Sequence, residues 1–314
     1  MSHPQVRIVT VSAADAGMRL DNYLMRELKG VPKSHVYRII RSGEVRINKG
    51  RVKPGSRLSA QDQLRIPPVR TAVRERPRPP DELIDRVQQS IVYDDGRLLA
   101  LNKPAGLAVH GGSGVPFGLI EVLRHVRPEQ RAELVHRIDR DTSGLLLVAA
   151  NRAELPRAQT ALNDDRAHKI YLAVTAGRWP DAVREVNAPL RRDVPVGGER
   201  LVQVAEGGRR AVSHFSIERR WPDATLVAVR IETGRTHQIR VHAAHAGHPL
   251  LGDDRYGDEA ANRRARATGL RRMALHAWSL ALPGLGSQGE TLTLQAPLPP
   301  ELEDFLHQLD QTSP

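Results

Sequence analysis

A short polar stretch in the middle of the chain has the residue types that catalysis needs. It contains five polar or charged side chains within six positions: His136, Arg137, Asp139, Arg140 and Asp141. The apolar residues 145–150 follow and are typical of a buried strand, and Gly144 permits close backbone approach. Composition alone leaves two interpretations open. The stretch is either an ordinary polar turn, in which Thr142 and Ser143 bond their own backbone, or a functional site beside the strand.

A resemblance to a known family favours the functional interpretation. Residues 136–144 read HRIDRDTSG and closely resemble the catalytic motif of the RNA pseudouridine synthases, in the branch that includes the ribosomal large-subunit enzymes. The resemblance implies that Asp139 is the essential catalytic carboxylate. It also implies that Arg137 helps to fill the space left by a flipped-out uridine and contacts the displaced strand. Ile138 stands where the family more often has leucine, an apolar exchange that changes nothing chemical.

Two further segments carry the same resemblance. Residues 232–242 read ETGRTHQIRVH, which implies that Arg235 pairs with Asp139 and that its planar guanidinium keeps the carboxylate ionised and fixed in direction. Residues 169–174 have strand character and contain Tyr171. A tyrosine in a strand is usually a core aromatic. The resemblance implies instead that Tyr171 stacks on the target base, a role that suits a chain with only 4% aromatic residues.

The implied reaction breaks the bond between ribose and uracil N1 and rejoins the uracil through C5. It is an isomerisation, so we expect no cofactor. The glycine-rich residues 109–114 lack both the dinucleotide fingerprint and a Gly-Lys-Ser phosphate loop, and we interpret them as a flexible wall of the site. The carboxylate of Asp139 can act as a nucleophile toward the sugar or as the base that starts an elimination, and both routes stay open. Asp141 is interpreted as structural, because an i, i+2 pair facing opposite sides of a turn would not flank one bond.

Three histidines at a spacing of three raise the possibility of a metal site: His242, His245 and His248. They lack the glutamate of a His-Glu-x-x-His arrangement, and Arg235 and Arg240 would repel a cation. We therefore predict no metal and interpret the row as helix-face histidines near RNA. The nearby residues 252–257 also match the family, but the sequence assigns no chemistry to Asp253 or Asp254.

Positive charge is concentrated at the start of the chain. Of 314 residues, the first 80 contain 17 Lys or Arg against 6 Asp or Glu, whereas the remainder contains 30 of each. A basic module joined to a neutral body indicates that one part holds a polyanion and the other acts on it. The chain has no cysteine, no secretory signal pattern and no run of eighteen apolar residues, so we expect a soluble, cytoplasmic protein without a membrane partner.

The basic region is patterned like a folded unit. Its first helix is predicted within residues 18–29 from one apolar stripe, and a second begins near Pro32 and ends by Gly43. A hairpin with a basic face is predicted over residues 45–53. Together these elements resemble the S4 RNA-binding module. The resemblance implies phosphate contacts that add affinity and salt sensitivity but read little sequence, and its candidate residues are Lys33, Arg38, Arg41, Arg46 and Lys49.

We predict an α+β protein with three segments: an S4-like domain over 18–66, a Pro/Arg-rich linker over 67–89 and a catalytic domain over 90–312. The catalytic domain is expected to be a mixed, mainly antiparallel sheet flanked by helices and loops. Its strands are predicted at 90–94, 98–101, 145–150, 169–174, 225–231, 275–282 and 291–296, with helices at 118–126, at 153–162 and at the C-terminus. Residues 191–212 are predicted to form a hairpin with glycines 197 and 198 at its tip.

The predicted activity is conversion of uridines to pseudouridine in large-subunit (23S) ribosomal RNA, by a monomer that uses no nucleotide cofactor. Three other functions are possible alternatives. A sister synthase would modify other uridines of the same RNA. A catalytically silent RNA-binding assembly factor would keep the fold, but intact Asp139, Tyr171 and Arg235 argue against it. A metal-dependent hydrolase on the histidine row would lose activity with a chelator.

Overall fold

The computed structural model describes residues 5–28, 30–69, 78–112, 115–196 and 199–312. The chain divides into two units, Met1–Arg78 and Pro79–Pro314, each built around its own apolar core. The predicted α+β fold class is confirmed in both units. Among the described residues, no helix is both long enough and apolar enough to cross a membrane.

The N-terminal unit packs two helices on a four-stranded antiparallel sheet with strand order β1-β4-β2-β3. Its elements are β1 (Arg7–Thr10), α1 (Leu20–Glu27), α2 (Lys33–Arg41), β2 (Arg46–Ile47), β3 (Gly50–Arg51) and β4 (Gln63–Ile66). Both predicted helices and the hairpin are confirmed, and the stripes that predicted the helices face the core. At the hairpin turn, Asn48 and Lys49 both have positive φ, at 49° and 68°, as a tight two-residue turn requires.

The second unit contains a ten-stranded mixed sheet, a separate two-stranded sheet and six helices among the described residues. The strands are β5 (Ile91–Asp94), β6 (Leu98–Lys103), β7 (Glu133–Leu134), β8 (Ser143–Ala149), β9 (His168–Ala176), β10 (Glu185–Asn187), β11 (Leu190–Val196), β12 (Glu199–Val204), β13 (Val212–Arg220), β14 (Ala224–Ile231), β15 (Leu275–Leu282) and β16 (Leu292–Gln295). The helices are α3 (Asp81–Gln89), α4 (Leu119–Val126), α5 (Leu155–Leu162), α6 (Gln238–His245), α7 (Glu259–Ala267) and α8 (Pro300–Thr312).

The order in the large sheet is β10-β13-β14-β9-β15-β8-β6-β5, with β16 paired to β15 and β7 paired to β8. Every pair among its described strands is antiparallel except β8 with β15. The prediction of a mixed, mainly antiparallel sheet is therefore confirmed. Strands β11 and β12 form the predicted hairpin as a sheet of their own, and its tip, residues 197 and 198, lies outside the described residues.

The structure corrects the end of the predicted linker. Residues 81–89 were assigned to a linker over 67–89, yet they form α3, a helix of the second unit. Ile84 and Val87 are buried in the core that α4 and β8 also line, and burial of these two apolar side chains is the reason the segment folds. The proline-rich composition upstream obscured this short stripe. Residues 70–77 lie outside the described part of the chain.

Strand β8 is buried at every position and runs parallel to β15, with Gly144 opposite Ala277. Gly144 has a φ of +105°, and a Cβ built there would lie 2.2 Å from the carbonyl oxygen of Ala277. Only glycine fits this contact, as predicted from its position before the strand. The strand therefore fixes where the preceding polar loop leaves the core.

Candidate active site

The polar stretch forms the loop between β7 and β8, and it is anchored from inside the protein just after Asp139. Lys103, at the end of β6, is fully buried. Its Nζ donates to the carbonyl oxygens of Pro104 (2.9 Å), Leu107 (2.9 Å) and Arg140 (2.8 Å). Three acceptors match the three hydrogens of an ammonium group. Burial lowers the pKa of Lys103 to about 7. Sequence reasoning missed this residue, although a lysine that ends an apolar strand is a recognisable signal.

His136 anchors the start of the loop. Its Nε2 accepts a hydrogen bond of 3.0 Å from the backbone N–H of Leu147 in β8. Burial, with a smaller contribution from the charge of Lys169, lowers the pKa of His136 to about 4. The imidazole is therefore neutral at physiological pH and carries its proton on Nδ1. Together, His136 and Lys103 hold the two ends of the loop on which Asp139 lies.

Asp139 lies in a cleft of about 1740 Å³, within the second unit. The side chain of Asp139 is 26% exposed, so solvent and a substrate can reach the carboxylate. The cleft is also lined by Arg137, Tyr171, Arg235, His237 and Arg240. The sequence-predicted residues of the second unit thus converge on one cleft.

Tyr171 is half-buried in β9 and packs against two of the core clusters. Burial, together with the charge of Asp139, raises the pKa of the Tyr171 hydroxyl, so the side chain is protonated over the physiological range. A neutral aromatic ring that lines the cleft suits stacking on a base. Arg137 is exposed at the cleft, and Asp141, with 49% of its side chain exposed, forms an ion pair of 3.1 Å with Arg140.

The partner of Asp139 is Arg240, which corrects the prediction that Arg235 pairs with it. The Nη1 atom of Arg240 lies 3.2 Å from Asp139 Oδ2. Arg235 lines the same cleft but is exposed, and its Nε donates instead to the backbone oxygen of Arg210 at 3.0 Å. The physical reason is position: Arg235 lies in the turn before α6, whereas Arg240 lies on the buried face of that helix.

A second carboxylate fixes Arg240 in place. Its Nε and Nη2 donate to the two carboxylate oxygens of Asp253 at 2.7 and 2.8 Å, which is a bidentate ion pair. The side chain of Asp253 is fully buried. Burial alone would lower the pKa of Arg240, but hydrogen bonds to Asp253 and the charges of both carboxylates raise it. A buried charge nearly always has a partner. Asp253, to which the sequence assigned no chemistry, is the partner of Arg240.

The histidine row does not form a metal site among the described residues. His242 is fully buried, with Nδ1 2.9 Å from Ser213 Oγ and Nε2 3.0 Å from the carbonyl oxygen of Ala188. The interpretation of the whole row as histidines near RNA is therefore wrong for His242. Its side chain links α6 to Ser213 in β13 of the sheet. His245 is exposed, and His248 Nδ1 lies 3.0 Å from the carbonyl oxygen of Ala176.

In the N-terminal unit, all five predicted phosphate-contacting residues are exposed. These are Lys33, Arg38, Arg41, Arg46 and Lys49. Arg46 and Lys49 border a smaller cleft of about 560 Å³ between the hairpin and β4. Arg46 also donates to the backbone of Gly43 and Lys49, at 3.2 and 3.3 Å, which holds the turn. Contact of this face with RNA stays a prediction.

Comparisons with known proteins agree with this geometry. The family model described as RNA pseudouridylate synthase matches residues 97–245, and the S4 domain model matches residues 18–64. The chain is 48% identical to ribosomal large subunit pseudouridine synthase C of Escherichia coli (strain K12) over 311 residues, covering 98% of this chain and 97% of the relative. It is also 48% identical to the protein of that name from Pasteurella multocida (strain Pm70) over 304 residues, covering 96% and 93%.

Two solved structures are similar in fold to this chain. Human RNA Pseudouridylate Synthase Domain Containing 4 matches with a TM-score of 0.60 and 25% identity, over 73% of this chain and 96% of that one. Human RNA Pseudouridylate Synthase Domain Containing 1 matches with a TM-score of 0.56 and 26% identity, over 72% and 96%.

Proposed function

Because this chain belongs to the RNA pseudouridine synthase family, we propose that it converts specific uridines of large-subunit (23S) ribosomal RNA to pseudouridine. Relatives that match over nearly their whole length are named as ribosomal large-subunit enzymes, and this supports the choice of RNA. An S4 domain at the N-terminus, with its exposed cations, supports a structured RNA as substrate. The sequence motifs and the family membership both indicate an isomerase.

The observation that carries the proposal is the ion pair of Asp139 with Arg240 at the wall of an open cleft. The guanidinium of Arg240 donates to Asp139 Oδ2 at 3.2 Å and so fixes the direction of that oxygen. The guanidinium of Arg240 also donates two hydrogen bonds to Asp253. It therefore cannot rotate away from Asp139 without breaking this buried ion pair. The arrangement provides an ionised, directed oxygen that a nucleoside can reach.

The reaction breaks the N1–C1′ bond, forms a C5–C1′ bond and moves one proton from C5 to N1, so no atom is gained or lost. A uridine stacked in RNA hides its glycosidic bond, and extruding it costs roughly a few kcal/mol. We assign Asp139 to attack the sugar or to remove a proton from it, and both routes begin from the same ionised carboxylate. Tyr171 supports the extruded base by stacking, and Arg137 occupies the vacated position in the RNA.

The test is release of tritium from uracil C5. Large-subunit RNA, transcribed without modification and labelled at C5, is incubated with the protein, and released label is measured. Asp139→Asn should abolish release while RNA binding, measured by filter retention, is kept. The matched control is Asp141→Asn, which removes a carboxylate from the same loop and should retain most of the turnover. A fall in RNA affinity as large as the fall in turnover would contradict a chemical role for Asp139.

The competing functions give different results in the same assay. A silent assembly factor binds RNA but releases no label from any RNA, including assembly intermediates. A metal-dependent hydrolase loses activity with a chelator, whereas we expect label release to continue in EDTA because an isomerisation needs no metal or nucleotide cofactor. Mapping pseudouridine in RNA from cells lacking the protein identifies the target uridines and separates the sister activity. The monomeric state and the cytoplasmic location also stay predictions, and light scattering tests the first.

A further inference from the structure

The residue before α6 has an unusual backbone conformation. His237 has a φ of 54° and a ψ of 21°, in the left-handed region that glycine and asparagine favour. Residues held in this region cluster at functional sites, where the surrounding structure enforces them. Here the conformation directs the imidazole into the cleft, and its Nε2 lies 3.8 Å from Asp139 Oδ2. The side chain of His237 is only 16% exposed, so its contacts are nearly all with protein.

The other nitrogen of His237 is held by a chain of hydrogen bonds. The hydroxyl oxygen of Tyr256 lies 2.8 Å from His237 Nδ1, and the same oxygen accepts a hydrogen bond of 3.1 Å from the backbone N–H of Val202. A bare Nε2 lone pair facing a carboxylate would be repelled, which favours the tautomer with its proton on Nε2. Nδ1 is then the acceptor, and Tyr256 is the donor to it.

Burial is the main reason that the imidazole of His237 is neutral. Burial lowers the pKa of His237, the carboxylate of Asp139 acts in the opposite direction, and the guanidinium groups of Arg240 and Arg255 lower the pKa further. Asp253 makes a smaller opposing contribution. A neutral imidazole with Nε2–H toward Asp139 faces, at 3.8 Å, the same oxygen that Arg240 contacts, and its N–H dipole is oriented favourably toward the carboxylate.

Val202 connects this chain of hydrogen bonds to a separate part of the structure. It lies on β12, in the two-stranded sheet, and is buried in a small apolar cluster with Val241 of α6. Tyr256 packs against the same cluster. The hydrogen-bond donor for the Tyr256 oxygen is thus present only while the β11–β12 hairpin is docked on α6. Docking of the hairpin therefore supplies one of the two hydrogen bonds that orient the tyrosine hydroxyl.

We propose that His237 is a positioning residue for Asp139, set by Tyr256 and by docking of the β11–β12 hairpin. The proposal rests on the proposed function, because it concerns the carboxylate that performs the isomerisation. In this arrangement the guanidinium of Arg240 donates to Asp139 Oδ2, and the Nε2–H of His237 faces the same oxygen at 3.8 Å. Displacement of the hairpin removes the hydrogen bond from Val202 to Tyr256 and lets the imidazole rotate. The hairpin therefore controls how well the carboxylate is oriented.

Tyr256→Phe tests the relay, because it removes the hydroxyl and keeps the ring. We expect kcat to fall about tenfold, the size of one hydrogen bond, with KM for RNA unchanged. The pKa of His237 should also rise, since a freed Nδ1 can take up a proton, and the acidic limb of the pH profile should move to higher pH. The matched control is Tyr93→Phe, which removes a phenol hydroxyl that does not line the cleft and should leave kcat unchanged. An unchanged kcat and pH profile in Tyr256→Phe would overturn the proposal.

A spectroscopic measurement tests the same relay without relying on turnover. In protein labelled with ¹⁵N in the histidine rings, His237 should give the Nε2–H tautomer at pH 7, assigned by the signal that His237→Asn removes. Tyr256→Phe should shift its Nδ1 resonance. An Nδ1–H tautomer in the wild type would overturn the proposal even if the protein released no tritium. Failure of the proposed function and failure of the relay are therefore separate results.

A second variant covers the case in which Tyr256→Phe does not fold. His237→Asn tolerates the left-handed backbone but cannot reach both Asp139 and Tyr256. It should lower kcat by about tenfold or more, with the thermal midpoint preserved. His237→Gln, whose amide N–H can take the place of Nε2–H, should recover part of that loss. Equal kcat in His237→Asn and the wild type would overturn the proposal.

Discussion

The guanidinium of Arg240 is shared between Asp139, at 3.2 Å, and Asp253, whose two oxygens lie 2.7 and 2.8 Å from it. One carboxylate is 26% exposed in the cleft and the other is fully buried. The buried pair fixes the direction of the arginine, and the arginine then fixes the direction of the exposed carboxylate through a hydrogen bond. Two charges that are costly to bury therefore position a third that faces the cleft.

Arg240→Lys should be far more harmful than Arg235→Lys. Lysine cannot bind Asp253 through two nitrogens while also reaching Asp139, so we expect a loss of turnover of about two orders of magnitude. Leaving Asp253 without its full partner should also destabilise the fold by about 3 kcal/mol. Tritium release and thermal unfolding measure the two effects. Arg235→Lys keeps the ion pair of Asp139 and should stay within a few-fold of the wild type. Equal losses in both variants would mean that the ion pair is not the important contact.

Gly144→Ala and Gly106→Ala separate two costs of replacing glycine. Both residues have positive φ, at +105° and +79°, but only at Gly144 would a Cβ collide with backbone, 2.2 Å from Ala277 O. At Gly106 nothing lies within 4 Å of the added atom. We expect Gly106→Ala to cost about 1–2 kcal/mol from backbone strain alone. Gly144→Ala should cost several kcal/mol more, because β8 and β15 must separate. Urea unfolding measures both, and similar midpoints would contradict the steric argument.

The protein should lose stability on acidification through buried histidines. Burial lowers the pKa of His276 to about 4, and His276 Nδ1 lies 2.8 Å from Ser143 Oγ while its Nε2 lies 3.2 Å from the carbonyl oxygen of Ala296. The unfolded chain binds the proton near pH 6.5, so between pH 6.5 and about 4 the unfolded state holds more protons. The contribution of the neutral histidine to the free energy of unfolding is fully present above pH 6.5. It falls below that pH by up to about 1.4 kcal/mol per pH unit for each histidine.

The measurement is the free energy of unfolding between pH 4 and 7 in the wild type and in His276→Gln. The variant should be less stable at neutral pH but should show a shallower decline toward acid. His136, whose pKa is also lowered to about 4, should account for part of the decline that is left. The same slope in both proteins would show that His276 does not titrate in this range.

The exposed cations of the N-terminal unit should act on RNA affinity and not on chemistry. The double variant Lys33→Gln with Arg41→Gln should weaken RNA binding and reduce the slope of log K against log salt by roughly 0.7–0.9 for each phosphate that is no longer neutralised. Turnover at saturating RNA should not change. Arg131→Gln with Arg152→Gln removes the same charge from exposed positions of the second unit that do not line the cleft. Identical salt slopes in the two double variants would argue against a specific RNA face on α2.

Local patterns predicted the elements that bury a clear apolar face. The stripe of Leu20, Tyr23 and Leu24 predicted α1, and the continuous apolar run predicted β8. Helix α7 was missed because its sequence, EAANRRARA, has alanines in place of a strong apolar stripe. Strand β13 was missed because its second half is polar and charged.

The choice between Arg235 and Arg240 was beyond pattern reasoning, since both lie in one short segment and the pairing depends on which of them faces inward. That direction is set by the turn at His237, whose left-handed backbone starts α6 with Arg240 on its buried face. The carboxylate of Asp253, thirteen residues further along, completes the choice. Burial of Asp253 could be recognised only once the fold was known.

The parallel pairing of β8 with β15 has a consequence for the newly made polypeptide. The neighbour that fixes Gly144 is Ala277, so the support of the catalytic loop comes from a strand near the end of the chain. While the ribosome is still adding residues before that strand, Lys103 and His136 are already present, but β8 lacks its parallel partner. We therefore expect a chain truncated before residue 275 to release no tritium from C5-labelled RNA, because its β8 has no parallel partner.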